Sequence, residues 1–146
     1  EEAGVRPQHL MVAPLVDGTS VVYAGEVSGA GKAALLGGAR ALLYPVQKPE
    51  PFGLVVTEAL ALGTPVAAAH EGGPGEVVTP ESGWLHDPER PEQLAAILRS
   101  AVEDPARVAA RSEGARRRAV EFSVAKTVAR TEEAYDLAFG VRPSTS

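Results

Sequence analysis

Two carboxylates, Glu50 and Glu58, stand with seven residues between them in the string Glu50-Pro51-Phe52-Gly53-Leu54-Val55-Val56-Thr57-Glu58. An ionised carboxylate accepts hydrogen bonds in pairs, so two of them beside one turn suit the vicinal hydroxyls of a sugar or a ribose. Between them, Gly53 opens the apolar run Leu54-Val55-Val56, which reads as the start of a helix. The first amides of a helix lack internal acceptors, and with the helix dipole they form a site for an anion or a hydroxyl. A glycine there also lets a ligand approach the backbone closely. The plainer reading of the same residues keeps Glu58 as a helix-favouring charge and Glu50 as a solvated loop charge.

The elements that must position this turn follow from apolar runs and stop signals. Ala41-Leu42-Leu43-Tyr44, closed by Pro45, predicts a buried strand leading into it. Similar runs predict strands at Val21-Val22-Tyr23-Ala24, Pro65-Val66-Ala67-Ala68-Ala69 and Gly83-Trp84-Leu85. Helices are predicted over 30–38, stopped by Gly37-Gly38, and over 53–62, ended by Gly63. Leu94, Ile97, Leu98, Ala101 and Val102 share one face of a further helix. Asp104-Pro105 reads as the N-cap and first residue of the next, which is predicted to run to about Phe122. Ser123 caps a last helix with Val124, Val128, Tyr135 and Ala138 on one face. Continuous apolar strands alternating with helices predict an α/β fold, a Rossmann-like parallel sheet with helices on both faces. Ligands of such sheets bind beyond the carboxyl ends of the strands, so the loops after Ala24, Tyr44 and Ala69 are expected to carry the chemistry.

Composition agrees with one domain. The chain has 146 residues, of which 45% are hydrophobic and 5% aromatic, which implies an aliphatic core. That apolar content excludes a disordered chain, and the lack of cysteine excludes a disulfide scaffold. No run approaches the ~20 apolar residues of a membrane helix. A net charge of −5 argues against nucleic acid as a partner. No signal peptide pattern opens the chain, so a cytoplasmic location is expected.

The string around the two carboxylates continues through Ala59-Leu60-Ala61-Leu62-Gly63-Thr64-Pro65-Val66-Ala67 to Glu71-Gly72-Gly73-Pro74-Gly75-Glu76-Val77-Val78 and Ser82-Gly83-Trp84-Leu85. It resembles the C-terminal, nucleotide-sugar-binding half of retaining glycosyltransferases of the GT-B type, in particular family 4, the glycosyl transferases group 1. That family's pattern is E-x-F-G-L, seven residues between two Glu, then E-A, G-T-P-V and G-G-x-x-E. The resemblance covers about residues 20–139 and is most specific over 50–78. It implies a domain over 1–140 that is an incomplete C-terminal half of a GT-B fold, with 141–146 as a tail. It also implies a nucleotide diphosphate sugar as donor substrate, with no cofactor and no metal.

By the same resemblance, Glu50 is the catalytic-site residue that meets the donor hexose hydroxyls. Phe52, Gly53, Leu54 and Val55 are donor-binding: the first three offer backbone amides to the sugar and diphosphate, and Val55 lies beside them. Glu58 holds the ribose hydroxyls. The turn at Gly25-Glu26-Val27 lies where the family places the nucleobase, which adds Gly25 and Val27 to the donor-binding set. The implied reaction is retaining transfer of a hexose to an acceptor hydroxyl. The alternatives are a GT-B enzyme of the phosphorylase type, or a non-catalytic or split GT-B domain that serves as an interaction module.

Several features depart from the family. The Arg and Lys that the first β-loop-α unit supplies to the diphosphate are not found, nor is the N-terminal acceptor domain. The chain is therefore expected to be inactive alone. Its partner is expected to be that acceptor domain or another chain, by homo-oligomerisation or a domain swap that covers exposed edges, with residues 8–13 as a segment that rearranges. Gly75 before Glu76 replaces a bulkier residue and is compatible with an altered sugar pocket. His70 follows a strand on the ligand side of the sheet, as a loop residue or a hydrogen-bonding one, whereas His86 and His9 are expected at the surface. Lys32 is read as solvated, with phosphate contact as the alternative. Arg116-Arg117-Arg118 is read as a solvated basic face, with contact to a membrane surface as the alternative, so the parent protein could be peripheral to a membrane. No metal-ligand spacing and no Gly-x-Ser-x-Gly elbow is present.

Overall fold

A computed structural model describes residues 13–46 and 50–140. The chain divides into two compact units, Glu1–Lys32 and Ala33–Ser146. His9, the rearranging segment apart from Ala13, and the tail 141–146 lie outside the described residues.

The first unit holds a 3-10 turn, Ala13–Leu15, followed by a loop built on Asp17. The Asp17 carboxylate accepts from the amides of Thr19, Ser20 and Val21 at 2.8, 2.6 and 2.9 Å. The amides of Asp17 and Gly18 in turn donate to the Val21 carbonyl at 3.1 and 3.0 Å. This corrects the buried strand expected at 21–24. The Val21 backbone is committed to a turn, and Val22 and Tyr23 are exposed coil at 65% and 75%. A parallel strand needs a neighbour for its ladder, and among the described residues none pairs with this run.

Helix α1, Gly29–Gly38, runs across the boundary between the units. In the second unit three strands, β1 (Leu42–Tyr44), β2 (Val66–Ala69) and β3 (Gly83–His86), form a parallel sheet in the order β1-β2-β3. The register pairs Leu42 with Val66, and Val66 with Gly83. Helix α2 (Leu54–Ala61) connects β1 to β2, and a six-residue helix α3 (Gly72–Val77) lies between β2 and β3. Then follow α4 (Pro91–Glu103), α5 (Pro105–Ala119), a 3-10 turn (Val120–Phe122) and α6 (Val124–Phe139).

The central strand β2 is buried at every residue, as expected for a strand covered on both faces. Successive side chains of a strand alternate between faces. Val66 and Ala68 accordingly pack with Val56, Ala59, Leu60, Val77, Val78 and Ala115, while Ala67 packs with Trp84, Ala101 and the α4 residues Leu94 and Ile97. The parallel α/β sheet with helices on both faces is thus the observed architecture. The two caps expected from Asp104 and Ser123 form, their side chains accepting from the amides of Arg107 at 2.9 Å and Lys126 at 3.4 Å.

Three expectations are corrected. Helix α3 was not anticipated, because its sequence Gly-Gly-Pro-Gly-Glu-Val has low helix propensity and no apolar period. The helix expected to reach Phe122 ends at Ala119 and tightens into the 3-10 turn. The apolar face expected of the last helix is exposed, with Val124 at 80% and Tyr135 at 61%, since periodicity sets a face without supplying its cover. No helix among the described residues is long and apolar enough to cross a membrane.

Candidate donor site at the carboxyl end of the sheet

The chain leaves β1 at Tyr44 and returns through Glu50 to α2. Gly53 is the N-cap of α2, with φ 75° and ψ 70°, a left-handed conformation that an L side chain strains to adopt. Its amide-to-helix turn closes through Val56 N donating to the Gly53 carbonyl at 2.8 Å. As a glycine the N-cap supplies no side-chain cap to the first amides of α2. The Thr57 hydroxyl is turned inward and donates to the Leu54 carbonyl at 2.9 Å. Leu54 is 71% exposed beside these amides.

Glu58 is half-buried on α2. It lies three and four residues past Val55 and Leu54, hence on their side of the helix. Val56, Ala59 and Leu60 face the core, which fixes the roll of α2 and with it the Glu58 direction. Glu50 is half-buried as well. Its backbone is pinned by α3, since Gly73 N donates to the Glu50 carbonyl at 2.8 Å. This contact requires glycines. A Cβ on Gly73 would stand 2.2 Å from the Pro51 carbonyl oxygen, and one on Gly75 would stand 2.1 Å from the His70 carbonyl oxygen. Gly75 therefore has a backbone reason to be glycine.

Tyr44, expected as the last residue of a strand, also belongs to this cluster. One ring carbon of Tyr44 and a side-chain carbon of Pro74 both lie 3.4 Å from the place a Gly53 Cβ would take. Burial first, and then the Glu50 charge, push the Tyr44 phenol above its ordinary range, so it stays a neutral hydrogen-bonding group. Its signal in the sequence was its place as the last strand residue on the ligand side. The structure thus brings Glu50, Phe52, Gly53, Leu54, Val55 and Glu58 to one strand end. Gly25, with φ 68°, and the 37%-exposed Val27 belong to the first unit, where they lie on coil.

Phe52 meets Phe122 edge to face, with 5.8 Å between ring centroids and 66° between planes. Beside the pair opens a shallow groove of about 640 Å³, lined also by Arg130, Thr131 and Tyr135. Arg118 is half-buried, not simply solvated: it donates to the Val77 and Glu76 carbonyls, both at 2.8 Å. Arg116 pairs with Glu113 on the surface.

The histidines divide unexpectedly. His70 is exposed, with Nδ1 3.1 Å from the His86 carbonyl, which fits the loop reading. His86 was expected at the surface but is 4% exposed. With period two it shares the Trp84 face of β3, which packs beneath α4. Its Nδ1 lies 3.1 Å from the Asp87 carbonyl, an acceptor, so Nδ1 carries the proton. Among the described residues no group of three or more His, Cys, Asp or Glu is placed to hold a metal ion.

Stretches of this sequence and its fold recur in known proteins. D-inositol 3-phosphate glycosyltransferase of Thermobispora bispora is 48% identical over 87 residues, 59% of this chain and 20% of that protein. Glycogen synthase of Mycobacterium tuberculosis is 39% identical over 97 residues, 66% of this chain and 23% of that protein. Among solved structures, sucrose-phosphate synthase from Thermosynechococcus elongatus superposes with a TM-score of 0.78 at 28% identity, over 95% of this chain and 38% of that one. HepE of Anabaena, solved with UDP-glucose, gives 0.73 at 28% identity, over 87% of this chain and 36% of that one. The chain thus spans about a fifth of the length of these curated relatives and over a third of the solved ones. These structures are GT-B glycosyltransferases, and the parallel sheet described above is part of that fold. The family profile of the glycosyl transferases group 1 matches residues 17–118, a stretch that takes in both Glu50 and Glu58, and the chain belongs to that family.

Proposed function

We propose that this chain is the donor-binding part of a retaining family 4 glycosyltransferase, one that transfers a hexose from a nucleotide diphosphate sugar to an acceptor hydroxyl. The observation that carries this reading is the glycine-capped start of α2 at the carboxyl end of β1, flanked by two half-buried carboxylates, Glu50 and Glu58. The first amides of α2, with the positive end of its dipole, meet the diphosphate and stabilise charge as it develops on the leaving group. The Glu50 carboxylate accepts from hexose hydroxyls, and the Glu58 carboxylate accepts from the ribose diol. Phe52 and Gly53 shape the approach to the sugar. The solved complex of HepE with UDP-glucose makes uridine diphosphate sugars the first donors to try.

Because the chain spans 20% of the length of relatives such as the Thermobispora enzyme, we propose that it binds donor by itself without transferring it. The test is calorimetric titration with UDP, GDP and ADP, and with their glucose and mannose conjugates. One nucleotide series is expected to bind. Glu58→Ala should weaken it about 10- to 150-fold, the value of a hydrogen-bonded charge lost. If no nucleotide binds, or if Glu58→Ala binds as well as the parent chain, the donor site is not here.

A further inference from the structure

The turn that carries Glu50 and Gly53 is gripped from two sides, and the two grips join. On one side α3 holds it by backbone, through Gly73 N and the Glu50 carbonyl at 2.8 Å. On the other side the Phe52 ring stands against Phe122. The Arg118 guanidinium lies over the Phe122 ring, 4.8 Å from its centroid. Two nitrogens of the same guanidinium donate to the last carbonyls of α3, Glu76 and Val77. The contacts therefore close a ring: Phe52 to Phe122, Phe122 to Arg118, Arg118 to the end of α3, and the start of α3 back to Glu50.

We propose that Phe122 and Arg118 are positioning residues for the donor turn, holding Phe52 and the Glu50 backbone in the binding geometry without touching donor themselves. The proposal rests on the donor-site reading of that turn. Two observations favour positioning over general packing. Phe52 remains 38% exposed, so its contact with Phe122 adds little to the core. Phe122 also packs against the core cluster, so exchange at the β2 amides separates lost core packing from a loosened turn. The Arg118 contacts also depend on shape as much as charge. A planar guanidinium can grip two carbonyls while stacking on a ring, whereas a lysine ammonium is a single compact point charge.

The test uses four variants of the full chain: Phe122→Leu, Phe122→Tyr, Arg118→Lys and the double variant Phe52→Leu/Phe122→Leu. Hydrogen exchange is followed at the hydrogen-bonded amides of Val56 and Gly73, and at those of β2 as an internal reference. Phe122→Leu and Arg118→Lys should speed exchange at the hydrogen-bonded amides of Val56 and Gly73 by about two- to twelvefold, the equilibrium factor of an aromatic or cation–π contact, and leave β2 unchanged. Phe122→Tyr keeps the ring and should restore the parent rates. The double variant should be no looser than Phe122→Leu alone, because both changes break one contact. Donor dissociation constants, measured with whichever nucleotide glucose the parent chain binds, should rise by a similar factor. Unchanged exchange at Val56 and Gly73, or equal loosening of β2, would overturn the proposal. A parent chain that binds no nucleotide sugar would refute the donor reading instead, and the exchange data would still decide whether the ring of contacts holds the turn.

Discussion

Replacing Gly73 by alanine should unseat the turn between β1 and α2, and the size of the effect can be worked from distances. The added Cβ would stand 2.2 Å from the Pro51 carbonyl oxygen and 2.5 Å from the Phe52 Cα, and both are backbone atoms that no rotamer change can move. To regain an ordinary contact the two segments must part by about 1 Å. The bond from Gly73 N to the Glu50 carbonyl, 2.8 Å here, would then exceed hydrogen-bonding distance. Losing that bond costs about 0.5–1.5 kcal/mol, and forcing extra atoms into a packed contact costs about 1–3 kcal/mol. A total of about 2–4 kcal/mol is expected, a large share of the ~5–15 kcal/mol that holds a domain together. The assay is urea unfolding followed by fluorescence of Trp84, the only tryptophan and a buried one, with nucleotide titration on the folded fraction. Gly31→Ala is the control, because a Cβ there meets nothing within 4 Å and helix propensity favours alanine. The reasoning fails if Gly73→Ala unfolds at the same urea concentration as Gly31→Ala, or if it keeps full donor affinity.

Two further outcomes are expected. The Asp17 carboxyl is held at about 2 by hydrogen bonds from the Val21, Thr19 and Ser20 amides, against 3.8 ordinarily. A carboxyl lowered on folding contributes order that is fully present above its unfolded value and is lost as pH falls through its folded one. The 17–21 loop should therefore loosen between about pH 4 and pH 2, read by NMR from those three amides, whereas a change centred near pH 4 or above would contradict the assignment. Asp104→Ala removes the cap on the Arg107 amide and should lower stability by about 0.5–2 kcal/mol in the same urea assay, with Asp104→Asn recovering most of it.

The sequence made some parts of this protein plain and hid others for physical reasons. Glu50, Gly53 and Glu58 were legible because helix starts and strand ends have local signatures, and the structure gathers them at one strand end. The strands at 42–44, 66–69 and 83–86 were legible because burial on both faces demands unbroken apolar runs. The same rule misread 21–24, where apolar residues have no neighbouring strand among the described residues and the Asp17 loop takes up the Val21 backbone. Helix α3 was hidden because backbone-to-backbone contacts specify it, and these leave no pattern beyond their glycines. Tyr44, Arg118 and Phe122 join the site through contacts between distant parts of the chain. Nothing local in the Arg116-Arg117-Arg118 run distinguishes the arginine that reaches α3 from the one that pairs with Glu113.

The Phe52–Phe122 contact also has a consequence for the order in which the protein is made. Phe122 follows Phe52 by seventy positions in the chain. A ribosome adding about 5–20 residues per second needs on the order of 4–14 s to cross that interval. During it β1, β2 and β3 can emerge and pair, while the turn between β1 and α2 waits for its aromatic support. Nascent chains stalled before Phe122 should therefore carry a sheet whose ligand end is still loose, and those stalled well beyond it should carry one that is set.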